Sequence, residues 1–145
     1  MKKIQFSTDI KAPKEKVWQI LWNDTTYPKW TAVFSEGSKA VSDWKEGSKI
    51  LFVNENNDGM HSIIDKKTDN EIMNFKHLGM VKNGIELPED ETSKSWSGAT
   101  ENYHLSEANG ITTLTVEMDI VEEYSAYFNE KFPLALSTIK ELAET

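Results

Sequence analysis

Glu101 is the side chain whose position best suits it for chemistry. Asn109-Gly110 is the favoured two-residue turn of a type I′ hairpin, and such a turn sets the register of its flanking strands. That register places Glu101 opposite Met118 and Tyr103 opposite Val116, in an otherwise apolar column. A carboxylate in such a column is expected to have a raised pKa and to act as acid, base or hydrogen-bond acceptor for a ligand. The alternative is a glutamate at the sheet rim, solvated or paired with a lysine.

His77 and Tyr103 are the polar side chains that can complete a cluster around Glu101. His77 shares strand parity with Phe75, so an inward Phe75 brings His77 inward as well. His77 then hydrogen-bonds Glu101 or a ligand, or else it is a core-edge histidine with a backbone partner. The connection 80–94 is too long to fix the register of the two strands, which leaves both alternatives open. The Tyr103 hydroxyl either joins the cluster or finds another partner.

The histidines also raise the possibility of a zinc site. His61 shares parity with Ile63 and is expected to face inward. The spacing of His61, His77 and His104 matches no zinc-ligand motif, however, and the hairpin register puts His104 on the polar face. The chain has no cysteine, no glycine-rich phosphate loop and no dinucleotide fingerprint. The sequence therefore predicts no metal and no cofactor.

Hydrophobic spacing indicates the elements that must position these residues. Residues 4–10 alternate as a half-buried strand does, and Pro13 suits the first turn of a helix. Asp24 and Thr25 can cap a second short helix, which is expected to end at Tyr27-Pro28-Lys29-Trp30. Further strands are expected at 38–43, 48–55, 60–67, 71–79, 95–106 and 111–121, with an amphipathic helix at 123–143.

The order of these elements predicts an α+β fold. A curved antiparallel sheet of about seven strands is expected to wrap around the long C-terminal helix, with residues 1–145 forming a single domain. Where the curled sheet and the helix do not meet, the gap becomes a pocket. The connection 80–94 is expected to be either a lid over that pocket or a flexible solvated loop.

Five segments carry a resemblance to a known family: Ile10–Trp18, Tyr27–Trp30, Asp43–Ser48, Asn74–Gly79 and Gly110–Thr115. Through them the chain resembles the START-like (SRPBCC) superfamily, whose helix-grip fold is shared with the birch pollen allergen. Within it the chain looks like the branch named after the activator of the heat-shock-protein-90 ATPase. The resemblance implies a pocket of the kind that binds lipids, sterols, plant hormones or polyketides; some members are cyclases or hydroxylase components.

Composition limits the classes of partner. The 145 residues carry a net charge of −8, which argues against a nucleic-acid binder and against docking on anionic membranes. The sequence has neither a signal-peptide pattern nor an apolar run long enough to cross a membrane, so a cytoplasmic location is expected. No arginine is available to clamp a phosphate or carboxylate, which favours a neutral, apolar ligand.

These features predict a protein that binds a hydrophobic, lipid-like or aromatic small molecule between sheet and helix, rather than an enzyme. The side chains expected to contact the ligand are Phe52, His61, Phe75, His77, Trp96, Glu101, Tyr103, Val116, Met118, Phe128 and Phe132. One alternative is a polyketide cyclase-like enzyme with Glu101 and His77 as acid and base. The other is a chaperone- or stress-associated interaction module, as the family name suggests.

Overall fold

The computed structural model describes residues 1–145 and shows one antiparallel sheet combined with a long C-terminal helix. The strands are β1 (Lys2–Ile10), β2 (Lys39–Val41), β3 (Lys49–Val53), β4 (Gly59–Thr68), β5 (Ile72–Lys82), β6 (Ile85–Glu86), β7 (Thr100–Ala108) and β8 (Ile111–Ile120). The helices are α1 (Lys14–Trp22), α2 (Tyr27–Thr31), α3 (Glu91–Lys94) and α4 (Ser125–Glu144), with a 3-10 turn at Glu122–Tyr124. The expected α+β fold is confirmed, with the short β6 and α3 in addition.

The sheet has the order β1-β8-β7-β5-β4-β3-β2, and β6 pairs with the end of β5. The predicted register of the β7–β8 hairpin is confirmed, with Glu101 opposite Met118 and Tyr103 opposite Val116. Its turn residues Asn109 and Gly110 have φ values of 54° and 77°, the left-handed conformation that a type I′ turn requires. Local turn chemistry therefore determines where Glu101 lies.

Helix α4 packs on the sheet through its C-terminal part. Its buried residues begin at Phe132, whose ring stacks on Phe6 of β1 with 5.1 Å between the ring centroids. None of residues 125–131 is buried, although Phe128 is partly so. The N-terminal turns of α4 therefore stand away from the sheet and leave open space beneath them.

A closely packed group of rings lies where α1 and α2 meet the sheet. We call Trp22, Trp30, Trp44, Phe75 and Tyr103 the aromatic cluster. The Trp22 ring lies at its centre, with centroid distances of 4.9 Å to Tyr103, 5.4 Å to Phe75 and 5.9 Å to Trp44. The contacts of Trp22 with Tyr103 and Phe75 are edge-to-face, and such contacts add to the free energy gained by burying the rings.

The predicted end of the second helix is wrong. Tyr27 and Trp30 lie inside α2 rather than closing it, because Pro28 occupies the first turn, where its missing N–H costs no hydrogen bond. The Trp30 indole Nε1 donates to the carbonyl oxygen of Leu21 at 3.0 Å, which fastens α2 to α1. The side chains of Tyr27 and Trp30 are therefore directed into the interior.

The connection 80–94 is not a plain loop. Strand β5 continues to Lys82, the turn at Asn83-Gly84 leads into β6, and Asp90 caps α3 through a hydrogen bond from the Ser93 amide. Strand β7 correspondingly begins at Thr100 rather than at residue 95. The predicted boundaries are wrong here because the turn-forming residues concealed elements of only two and four residues.

No helix of the protein is both long and apolar enough to span a membrane.

Candidate functional site

Two adjoining cavities lie between the sheet, α2 and the N-terminal turns of α4. The first has a volume of about 400 Å³ and the second about 370 Å³. Met60, Glu101, Met118, Tyr127 and Phe128 line both of them. Glu101 is therefore the charged group at the junction of the two cavities.

The β4–β5–β7 pairing brings a histidine and a serine to Glu101. Phe75 of β5 lies opposite Glu101 of β7, and His77 lies opposite Ser62 of β4. The His77 Nε2 is 3.1 Å from Glu101 Oε1, and the His77 Nδ1 is 2.7 Å from the Ser62 Oγ. The Tyr103 hydroxyl donates to the other Glu101 oxygen. The four side chains form one hydrogen-bonded chain, Ser62–His77–Glu101–Tyr103.

Donor and acceptor requirements assign the protons in this chain. An ionised carboxylate only accepts hydrogen bonds, so His77 Nε2 carries a proton and donates it to Glu101. The Ser62 hydroxyl is completely buried and its oxygen has no other partner than His77 Nδ1. Because its proton must go to an acceptor, Nδ1 is unprotonated and His77 is neutral.

The pKa of Glu101 was expected to be raised, and that expectation is wrong. Burial does raise it, but the hydrogen bonds from His77 and Tyr103 act in the opposite direction. Together the partners outweigh burial and hold the pKa below its ordinary value. Glu101 is therefore a carboxylate at neutral pH and a weak base.

Tyr27 is a second hydroxyl in the first cavity, and sequence analysis missed it. Its side chain is buried and lines the cavity, yet its hydroxyl makes no hydrogen bond with the protein. Burial and the Glu101 charge raise the pKa of Tyr27 far above its usual range, so it stays a neutral phenol. Tyr27 and Trp30 are three residues apart and share one face of α2. A predicted helix that included both residues would therefore have directed Tyr27 into the interior with Trp30.

The structure brings most of the expected ligand-contacting residues to the cavities. Phe52, Tyr103 and Phe132 line the first cavity, His77 and Trp96 line the second, and Glu101, Met118 and Phe128 line both. Phe75 and Val116 do not line either, because both side chains are completely enclosed by the packed core. The lining residues that the sequence analysis missed include Tyr27, Met60 and Tyr127.

His61 does not face the cavities, and its expected inward direction is wrong. Ser62 and Ile64 are the fully buried residues of β4, so the inward parity is opposite to that of His61. The His61 ring lies over Gly79 on the outer face, where a Cβ on Gly79 would be 2.5 Å from His61 Nε2. Its Nδ1 is 3.6 Å from Glu86 Oε1. Shifts in the β4–β5 register obscure this parity in the sequence.

No group of three or more histidine, aspartate or glutamate side chains is arranged so that it could hold a metal ion. His104, the third histidine, is exposed on the polar face of β7.

Neither a protein-family model nor a curated protein matches the sequence. Solved structures do match over nearly the whole chain. The Aha1 dimer of Colwellia psychrerythraea superposes with a TM-score of 0.74 at 22% identity, covering 99% of this chain and 97% of that one. CalU16 of Micromonospora echinospora gives 0.67 at 16% identity, covering 97% and 75%. DynU16, from the dynemicin biosynthetic locus, gives 0.71 at 12%, covering 99% and 47%.

This chain has the helix-grip fold. The resemblance drawn from its sequence is thereby confirmed at the level of the fold. At identities of 12% to 22%, these similarities show a shared fold and do not show a shared function. What the protein does has to be argued from its own cavities.

Proposed function

We propose that this protein binds a small hydrophobic molecule in the two adjoining cavities. The observation that carries the proposal is a lining rich in aromatic and methionine side chains, with the hydrogen-bonded carboxylate of Glu101 where the two cavities meet. Ligand pockets combine a mostly apolar lining with few, well-placed polar groups in this way. A volume of about 400 Å³ lies within the usual range of about 300–1,000 Å³ for such pockets.

The apolar walls supply binding free energy, and the polar groups orient the molecule. Phe34, Phe52 and Phe132 surround the first cavity, while Trp96 and Met80 bound the second. Burying apolar ligand surface against these walls is favourable by about 25 cal/mol per Å². Glu101 and Tyr27 both line the first cavity, so one end of the ligand is expected to be polar.

The test combines a neutral hydrophobic dye with a variant that fills the cavity. N-phenyl-1-naphthylamine is expected to become fluorescent on binding, and native mass spectrometry of gently purified protein is expected to show a retained small molecule. Met60→Trp introduces an indole at a position that lines both cavities and should abolish dye binding. Ile63→Trp makes a similar change on the outer face of the same strand and serves as the control. Failure of the wild-type protein to bind dye, or equal binding by both variants, would contradict the proposal.

Acid–base catalysis is a second candidate, favoured by the Glu101–His77 pair at the cavity wall. A cyclase-like reaction needs a base, and the lowered pKa of Glu101 makes it a poor one. Incubation with linear polyketide chains, followed by mass spectrometry, tests for cyclised product. Product that is formed by the wild type and lost in Glu101→Gln would replace binding by catalysis as the function. The interaction with a chaperone ATPase stays a prediction of the sequence resemblance.

A further inference from the structure

The polar end of the cavities carries a net negative charge. His77 is neutral, because the buried Ser62 hydroxyl donates to its Nδ1, so the hydrogen-bonded chain as a whole bears only the Glu101 charge. The Glu101 side chain is only 24% exposed. A buried charge without an opposite partner is costly, and Glu101 lines both of the cavities that a ligand would fill.

The other charged side chains that border the cavities do not offset Glu101. Asp119 borders the second cavity and already pairs with Lys3, with 3.2 Å between the nitrogen and the oxygen. Asp58 borders the first cavity and adds to the negative charge. Lys39 is the one lysine in the lining, and it is exposed on the edge strand β2. The interior therefore lacks a cation.

Aromatic rings line the first cavity together with Glu101. Trp30 lies 5.3 Å from Tyr27 and 6.3 Å from Tyr103 between ring centroids, and all three line the first cavity with Glu101. Aromatic faces attract cations, by about 2 kcal/mol when the cation is desolvated. The unpartnered Tyr27 hydroxyl offers a further acceptor for an N–H group. A carboxylate within a set of aromatic rings is suited to a protonated nitrogen.

We propose that the ligand of these cavities is a hydrophobic amine, whose protonated nitrogen binds Glu101 and whose aromatic or aliphatic body fills the apolar space. This inference rests on the proposed function and narrows it. It also revises the expectation of a neutral ligand, because the sequence alone did not show that Glu101 keeps its charge while His77 lacks one. Ligands ending in a carboxylate or phosphate are excluded by the same charge.

Three probes with the same body and different ends test this inference by isothermal titration calorimetry at neutral pH. They are 2-(1-naphthyl)ethylamine, 2-(1-naphthyl)ethanol and 1-naphthylacetate. A hydrogen bond to a charged partner is worth a factor of about ten to a hundred in affinity, so the amine should bind at least about tenfold more tightly than the alcohol. The acetate should bind more weakly than the alcohol.

Two variants identify the group responsible. Glu101→Gln should lower the amine's affinity to about that of the alcohol, because it removes the charge that distinguishes the two probes. Glu117→Gln removes the same charge from the polar face of β8, next to Met118, and should change neither. Retained alcohol binding shows that Glu101→Gln folds; if that variant does not fold, the three probes on the wild-type protein decide alone.

The outcomes separate this inference from the proposed function. The inference fails, and the proposed function stands, if the alcohol binds as tightly as the amine, or if the neutral dye binds and none of the three probes does. It also fails if Glu117→Gln weakens amine binding as much as Glu101→Gln, since bulk charge would then be the cause. Both proposals fail if neither the dye nor any probe binds.

Discussion

Aromatic side chains fill one part of the interior completely and leave another part open. In the aromatic cluster, Trp22 contacts its neighbours edge-on and Phe75 is completely buried. Around Glu101, rings of the same kind, such as Phe34 and Phe128, border two cavities instead. Composition cannot explain the difference, because both regions are rich in aromatic residues.

The difference comes from the elements that cover the sheet. Helix α1 places Trp22 directly on β5 and β7, so large rings fill the space between the layers. Helix α4 contacts the sheet from Phe132 onwards, and its preceding turns contribute no buried residue. One end of the interior is thus a packed core, and the other contains the two cavities. Tyr103 belongs to both, with its ring in the cluster and its hydroxyl on Glu101.

Truncation of one ring in each region gives the largest predicted effect. Phe75→Ala should lower the free energy of unfolding by about 3–5 kcal/mol, because it leaves a cavity in a fully packed site. Phe128→Ala should cost about 1 kcal/mol, because that ring already borders open space. Urea denaturation of the two variants measures both values. Equal losses would show that the region beneath α4 is packed as tightly as the aromatic cluster.

The hydroxyl of Tyr103 gives the next largest effect. Tyr103→Phe keeps the ring that packs on Trp22 and removes the hydrogen bond to Glu101. A hydrogen bond to a charged group contributes about 1.5–3 kcal/mol, so stability should fall by that amount. Thermal and urea unfolding measure it, with dye binding as a check that the cavities persist. An unchanged stability would mean that the carboxylate does not depend on its phenol.

In the hydrogen-bonded chain Ser62–His77–Glu101–Tyr103, the position of Glu101 could be predicted from the sequence and its contact with His77 could not. The position of Glu101 followed from the Asn109-Gly110 turn, since a two-residue hairpin determines its register locally. The contact of His77 with Glu101 depends on the register of the β5–β7 pairing. That register could not be predicted from the sequence, because a long connection separates the two strands. The direction of His61 was wrong because the register shift at His61/Ser62 interrupts regular pairing in β4.

The cavities themselves could be anticipated only in outline. The apolar stripe of the C-terminal helix runs from Phe128 through Phe132 to Ile139 without a break, so its pattern does not show where contact with the sheet begins. That point depends on how far the sheet curves, which is a property of the assembled strands. For the same reason Phe75 and Phe52 looked equivalent in sequence, although only Phe52 borders a cavity.

The pH dependence of stability should distinguish Glu101, where the two cavities meet, from the aromatic cluster. The folded-state pKa of Glu101 lies below its ordinary value of 4.5, because its hydrogen-bond partners outweigh burial. The ionised form therefore stabilises the fold above that value, and the contribution is lost as the pH falls through the folded-state pKa. The difference in the free energy of unfolding between wild type and Glu101→Gln should shrink as the pH falls from 7 to below the folded-state pKa of Glu101. The total change in that difference should be smaller than the stability lost in Tyr103→Phe.

A Phe75→Leu variant of the aromatic cluster is the control for that experiment. It removes no titratable group, so its difference from wild type should stay constant over the same pH range. A Glu101→Gln difference that grew towards acidic pH would mean that burial dominates and that the folded-state pKa is raised.

Removal of the Tyr27 hydroxyl should have the smallest effect on stability. Tyr27→Phe keeps the ring against Trp30, and the hydroxyl has no protein partner to lose, so the free energy of unfolding should change by less than about 0.5 kcal/mol. Affinity for 2-(1-naphthyl)ethylamine should nevertheless fall severalfold, because the nitrogen loses an acceptor. Tyr103→Phe is the matched substitution, since the two phenols line the same cavity and differ in whether the protein already uses the hydroxyl. A destabilised Tyr27→Phe with unchanged amine affinity would assign that hydroxyl to the core and remove it from the binding site. A stable variant with weakened binding would show that the open region retains polar groups that the folded protein does not itself require.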